Sequence, residues 1–186
     1  MKSLLNTALL AATLLAASVN FTLAQDLDAA VQSKVDAVAK QIQTWAADPV
    51  LVSAVKACNT TPSADTAAMT QDKWKTLPIL DPVVRSFSKT PAGEFLKAKK
   101  TAAVSEAFLS AADGKKVAFL TKPTSWSHQG KPKHDVPMTG KTWQGPVEVD
   151  ESSGLQQVQV AVPVLDGGKP IGSLVVGLSL SKLGKE

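Results

Sequence analysis

The hydrophobic period of this sequence changes once, near residue 100, and no other feature restricts the fold as much. Before the change, Leu27, Val31, Val35, Val38, Ile42 and Trp45 recur at steps of three or four, with Asp28, Gln32, Asp36 and Lys40 between them. That spacing predicts an amphipathic helix over 26–47. After the change the period falls to two, most cleanly in 156–165, where Val158, Val160, Val162 and Val164 share one face. Helices first and strands second imply an α+β fold in which helices cover at least one face of a sheet.

Local punctuation divides the two halves further. Asp48-Pro49 is a start signal for a second helix carrying Leu51, Val52, Val55 and Cys58, and Asn59-Thr60-Thr61-Pro62 ends it. Asp81-Pro82 and Thr90-Pro91 repeat the signal, so 63–100 reads as short helices. Val104–Ser110 and Lys116–Thr121 flank Asp113-Gly114, a hairpin pattern. Strands are then expected at 142–149, 156–165 and 171–180, the last two joined at Asp166-Gly167-Gly168. Gly172 and Gly177 in the final strand mark bulges or close backbone approach. With hairpin-short connections this makes an antiparallel sheet of about five strands. One connection, Lys122–Lys141, has no apolar period, and a loop that long inside a domain is more often functional than not.

At the N-terminus Lys2 precedes an apolar run, and Thr22-Leu23-Ala24 supplies a small-large-small cleavage pattern. The expectation is a signal peptide over 1–24 and a mature chain of 162 of the 186 residues, 25–186, exported to the periplasm or beyond. The run is short for a membrane span of about 20 apolar residues. The mature chain is expected to be a single domain, helical over 25–100 and sheet over 101–186. One cysteine excludes an internal disulfide and a multi-cysteine zinc site. Cys58 is either a buried small apolar residue or an exposed thiol able to link two chains.

The order of these elements, and the residues within them, resemble the Cache (PDC-type, extracellular PAS-like) sensor domains. Ala47-Asp48-Pro49-Val50-Leu51-Val52-Ser53-Ala54-Val55 is similar to their second helix, and Val104–Ser110 with Asp113-Gly114-Lys115 to their first hairpin. Trp143–Gly154 and Val160-Ala161-Val162-Pro163-Val164, with Gly172 and Val176-Gly177, resemble their last three strands. The resemblance covers essentially the whole mature chain. It implies a PAS-like antiparallel sheet with a long N-terminal helix and further helices packed on it. It also implies a small-molecule pocket between the sheet and the long loop, with Trp126, Trp143 and Asp150 at the positions that line it. It does not extend to amino-acid specificity. Amino-acid-binding members carry Arg before the loop Trp and Tyr around the pocket, whereas Ser125 precedes Trp126 here and the chain has no Tyr.

The residues themselves point to the same loop. The full chain carries 20 Lys+Arg against 16 Asp+Glu, and loss of Lys2 leaves 19 against 16. Lys122, Lys131, Lys133 and Lys141 against Asp135 account for all of that +3, and His128 and His134 lie among them. Trp faces ringed by ammonium groups suit a small polar or anionic ligand such as a carboxylate; the bland alternative is a solvated loop. The expected ligand-binding set is therefore Trp126, His128, Lys131, Lys133, His134, Lys141, Trp143 and Asp150. His128, His134 and Asp135 match no metal-ligand spacing, and no nucleophile elbow or activated cysteine is present, so neither a metal, a cofactor nor an enzyme activity is expected. The Lys99-Lys100 doublet is too small for nucleic acid. Trp45 reads as core, Trp74 belongs to no evident face, and Asn59-Thr60-Thr61 is an acceptor pattern for glycosylation. Two functions fit: a ligand-binding sensor domain reporting to a membrane receptor or transporter, or an envelope interaction protein with a vestigial pocket that acts through its surface.

Overall fold

A computed structural model describes residues 27–149 and 154–184. The signal-peptide region and Asp150 lie outside the described residues. Helix α1 (Ala29–Ala46) is followed by α2 (Pro49–Thr60), α3 (Ala64–Ala67), α4 (Gln71–Thr76), α5 (Pro82–Phe87) and α6 (Pro91–Ala98). Each start is held by a side-chain oxygen. Backbone N–H groups of Val31, Val50, Thr66, Lys73, Val83 and Gly93 donate to Asp28, Asp48, Ser63, Thr70, Asp81 and Thr90 respectively. Such caps supply partners to amides that the helix itself cannot satisfy, which is why the chain breaks and restarts where it does.

The strands follow: β1 (Val104–Ala111), β2 (Lys116–Phe119), then a short helix α7 (Pro132–Asp135) and a 3₁₀ turn, then β3 (Trp143–Gln144), β4 (Glu148–Val149), β5 (Gln156–Asp166) and β6 (Lys169–Ser179). All pairs are antiparallel, in the order β2-β1-β6-β5-β3, with β4 also on β5. The single strand expected at 142–149 is thus two short ladders on one neighbour. Three residues, Gly145–Val147, stand opposite Val158 and Gln159, and Pro146 has no N–H to give. The β5–β6 hairpin turns on Gly167 and Gly168, both at positive φ (56° and 84°), as a two-residue turn of this hand requires.

One face of the sheet carries the main core. Val158, Val160, Val162 and Val164 of β5 join Leu174, Val176 and Leu178 of β6 and Leu109 of β1 against Val35, Ile42, Leu51 and Val55 of α1 and α2. The helices are tied to the sheet edge as well. Gln32 and Gln144 exchange amide hydrogen bonds (2.9 and 3.0 Å), and Gln43 Nε2 donates to Thr142 Oγ1 (3.0 Å). At the far end of α2, Asn59 bridges two hairpins: its Nδ2 donates to Ile171 O (2.8 Å), and its Oδ1 accepts from Ala112 N (2.9 Å).

The opposite face holds a second, aromatic cluster. Trp74, unplaced by its sequence context, is fully buried there among Phe87, Phe119 and Trp126, with ring centroids 5.0–6.1 Å from its own. Its Nε1 donates to Pro123 O (2.7 Å), so the short helices hold the start of the long loop down on the sheet.

Candidate functional site

The second face is organised in rows across the strands, fixed by their register. One row is Phe119–Phe108–Val175–Ala161–Trp143, an apolar bar from edge to edge. On one side of it lie Ser110, Ser173 and Pro163. On the other lie Glu106, Gly177 and Gln159, followed by Ser179 and Gln157, with Glu148 beside Gln157. The bar belongs to a buried core; the polar rows beyond it floor a cavity of about 400 Å³.

The cavity lies between this floor and the long loop. Glu106, Gln157, Gln159 and Glu148 come from the strands, Lys122, Pro123 and Thr124 from the start of the loop, and His128 and Lys133 from its middle. Gln159 Nε2 donates to Glu106, Gln157 Nε2 to Glu148 (3.3 Å), and Ser105 Oγ to Gln157 Oε1 (2.7 Å), so the floor is pre-ordered. Gly177 makes room for these side chains. A Cβ there would stand 2.7 Å from both Glu106 Cγ and Ser105 Oγ, the close approach anticipated for this glycine. The loop lysine Lys122 is held in place by Trp74 O (2.7 Å) and Leu77 O (2.9 Å), and lies over the Trp74 ring. Burial pushes the Lys133 ammonium below its ordinary pKa, while Glu106 and Glu148 pull it back up.

Both histidines are buried, at 4% and 1% exposure, yet only His128 lines the cavity. His134 Nε2 faces Ala112 O (3.2 Å), which can only accept, so that nitrogen carries the proton and Nδ1 (2.8 Å away) accepts from the Ser173 hydroxyl. Burial holds the pKa of His134 below the usual histidine value. His128 Nδ1 lies 2.9 Å from Lys116 Nζ, and its ring is tilted over Phe108. Burial first, and then the Lys116 charge, push its pKa far below the histidine range.

Solved structures with a similar fold are sensor domains. The sensor domain of the Vibrio cholerae histidine kinase DctB matches 84% of this chain with a TM-score of 0.50 at 16% identity. The ligand-binding domain of the Pseudomonas aeruginosa PAO1 amino-acid chemoreceptor PctC, in complex with GABA, matches 83% at 0.46 and 13% identity. That of the Campylobacter jejuni chemoreceptor Tlp3, in complex with 4-methylisoleucine, matches 84% at 0.43 and 15% identity. The fold is that of a Cache-type sensor domain. The chain spans about half of each of those structures, 54%, 56% and 57% of their lengths respectively. No family profile matches the chain, and no curated protein sequence matches it.

The Cache fold brings together only part of the predicted set. His128 and Lys133 line the cavity. Trp126 does not: its ring, 3% exposed, is committed to the Trp74–Phe87 cluster, and among the described residues its Nε1 has no acceptor. Trp143 packs on the same cluster at the end of the apolar bar, with its ring over Gly145. Neither indole lines this cavity. Lys131 and Lys141 are exposed, Lys131 donating to Ser125 Oγ (3.0 Å). His134 is used up structurally, and Asp135 accepts from Gly130 N (3.0 Å) within the loop. Among the described residues no three His, Cys, Asp or Glu side chains gather as a metal site. The polar floor residues Glu106, Glu148, Gln157 and Gln159 are among the cavity residues absent from the predicted set. A signal was present: in β5, Gln157 and Gln159 interrupt what would otherwise be an apolar second face.

Cys58 is half-buried at the end of α2, and burial, then the nearby Asp113 charge, push its thiol pKa up, which makes it a poor nucleophile. Among the described residues no helix is long and apolar enough to cross a membrane.

Proposed function

We propose that this chain is an exported small-molecule-binding sensor domain that takes a small polar metabolite into the cavity beneath the long loop and signals by docking to a membrane partner. The observation that carries the reading is the cavity itself. It is about 400 Å³, of the size used for metabolites, on the sheet face opposite α1 and α2, with polar groups converging from strands and loop. The Cache fold supports it, since its DctB neighbour is the sensor domain of a histidine kinase. The expectation of an anion is narrowed. Glu106 and Glu148 face the same space as Lys133, so a ligand carrying both donor and acceptor groups fits better than a bare anion. No bond-making chemistry is assigned to the site.

A thermal-shift screen of the mature protein against carboxylates, amines, amino acids, purines and divalent metals tests the reading. A ligand at a hundred times its dissociation constant stabilises the protein by about 2.7 kcal/mol. The expected result is a shift with at least one ligand carrying both donor and acceptor groups, abolished by Gln159→Leu or Lys133→Met. Silence across every class, or a shift indifferent to both substitutions, overturns it.

The surface-acting alternative draws on one observation: Ile79 and Leu80, at the turn between α4 and α5, are 64% and 77% exposed. If Ile79→Ser with Leu80→Ser abolishes partner capture while the screen stays silent, that reading replaces the first.

A further inference from the structure

Lys116 is fully buried on the second face of the sheet, and no carboxylate is within salt-bridge distance of it among the described residues. Its surroundings account for it in another way. Nζ lies 3.0 Å from Gly114 O, 3.2 Å from Ser110 Oγ and 2.9 Å from His128 Nδ1, and 5.0 Å from the centroid of the Phe108 ring. An ammonium has three hydrogens and no lone pair. Three acceptors and an aromatic face are what a buried ammonium needs in place of a counter-ion.

That count determines the state of His128. Its ring is neutral, because burial and the adjacent Lys116 both oppose a second positive charge. A neutral imidazole has one N–H and one lone pair, and which nitrogen carries which is set by the partner of the other. With an ammonium donating to Nδ1, the proton must sit on Nε2. No other described residue pairs with that Nε2, and His128 is part of the cavity wall. We propose that Lys116 is a positioning residue that locks His128 in its Nε2–H form, so that the cavity presents one fixed donor selecting a ligand with an oxygen acceptor at that end.

The inference rests on the reading of the cavity as a ligand site and divides that site chemically. At the His128 end a carboxylate, carbonyl or phosphoryl oxygen is matched by an N–H that stays a donor for as long as Lys116 is an ammonium. Toward Glu106, Glu148, Gln157 and Gln159, carboxylate and carboxamide oxygens match an ammonium or hydroxyl. Charges facing Lys116 act on the lock from several elements. Lys131 and Lys133 of the loop oppose the ammonium, and Asp113 of the β1–β2 turn favours it. Burial is the largest opposing influence and brings Lys116 to about 7, so the lock is engaged in mildly acidic surroundings.

With only two histidines in the chain, ¹⁵N-histidine labelling and long-range ¹H–¹⁵N correlation read the tautomers directly. His134 serves as an internal standard, because Ala112 O requires its Nε2–H form. The expected result for the unliganded protein at pH 6 is an Nε2–H pattern for His128 as well. An Nδ1–H pattern, or an average of the two, overturns the proposal without any variant being made. In Lys116→Met the exclusive Nε2–H pattern of His128 should be lost while that of His134 stays; a folded variant with His128 unchanged also overturns it. The spectrum needs no ligand, so its outcome is separable from that of the screen. A silent screen beside an Nε2–H ring removes the ligand reading alone, and an Nδ1–H ring beside a positive screen removes the lock alone.

Discussion

Trp74 and Trp126 sit 5.0 Å apart in one cluster and are equally inaccessible, yet substitution should separate them. Trp74 Nε1 donates to Pro123 O, so Trp74→Phe leaves a buried carbonyl unpaired and also removes volume. Trp126→Phe removes volume and a donor that has no acceptor among the described residues. An unsatisfied buried group costs about 1–3 kcal/mol, so urea denaturation should find Trp74→Phe the more damaging by roughly that amount. Gly172 supplies a second residue-scale test. A Cβ there would strike Ser110 O and approach Val55 Cγ1 to 2.8 Å, so Gly172→Ala should destabilise by about 1–3 kcal/mol in the same assay. Gly172 and Gly177 were legible as close approaches because glycine in a strand has few other uses. The tryptophans were not. An aromatic residue in an irregular segment looks the same in sequence whether it faces a ligand or three other rings, and only the partners decide. Lys116 was likewise invisible, since nothing in a hairpin sequence says that a lysine will be fully buried.

Among the elements, the helices are the most legible in the sequence, because their start signals are chemical. Asp48-Pro49, Asp81-Pro82 and Thr90-Pro91 each became a capped first turn with proline at its opening. Thr90 both caps α6 and donates to Phe87 O (3.1 Å), joining it to α5. Thr90→Ala should therefore cost about 1 kcal/mol, at the level of an ordinary cap or slightly above it, measurable as a lower denaturation midpoint at unchanged slope. The third strand is less legible. Its sequence supports one run over 142–149, but register on β5 demands an extra residue at Gly145–Val147, and among the described residues a two-residue ladder stands on each side. That interruption has a use at an edge. With β2 only four residues long and the opposite edge broken at Pro146, neither margin of the sheet offers a long template for another strand among the described residues.

For the whole molecule, the balance of charge on the loop changes meaning. Its four lysines look like one basic patch, but Lys131 and Lys141 are exposed, while Lys122, tied to two carbonyls, and Lys133 line the cavity. Lys131→Gln with Lys141→Gln should therefore leave any thermal shift in the ligand screen unchanged. Stability should depend on pH through the buried bases. His128 and His134 have native pKa values depressed below 6.5, so below that pH the unfolded chain binds protons that the native chain does not. Their contribution is complete above about 6.5 and is lost as pH falls, with a slope of up to about 1.4 kcal/mol per unit for each group. Lys116 acts in the same direction between about 7 and 10.5, where only the unfolded chain holds its proton. The melting midpoint should accordingly fall from pH 6.5 to 5, and less steeply in His134→Asn.

Asn59, which spends its amide on both hairpins, also begins an Asn-Thr-Thr acceptor sequence. A eukaryotic secretory host attaches glycans to such sites as the chain emerges, before the fold can hide them. A sugar on Nδ2 would occupy the place of Ile171 O and separate the two hairpins at their junction. The choice of expression host thus becomes a structural variable: secretion from yeast or animal cells should yield misfolded protein. Thr61→Val, which removes the acceptor sequence and keeps Asn59, should restore the yield.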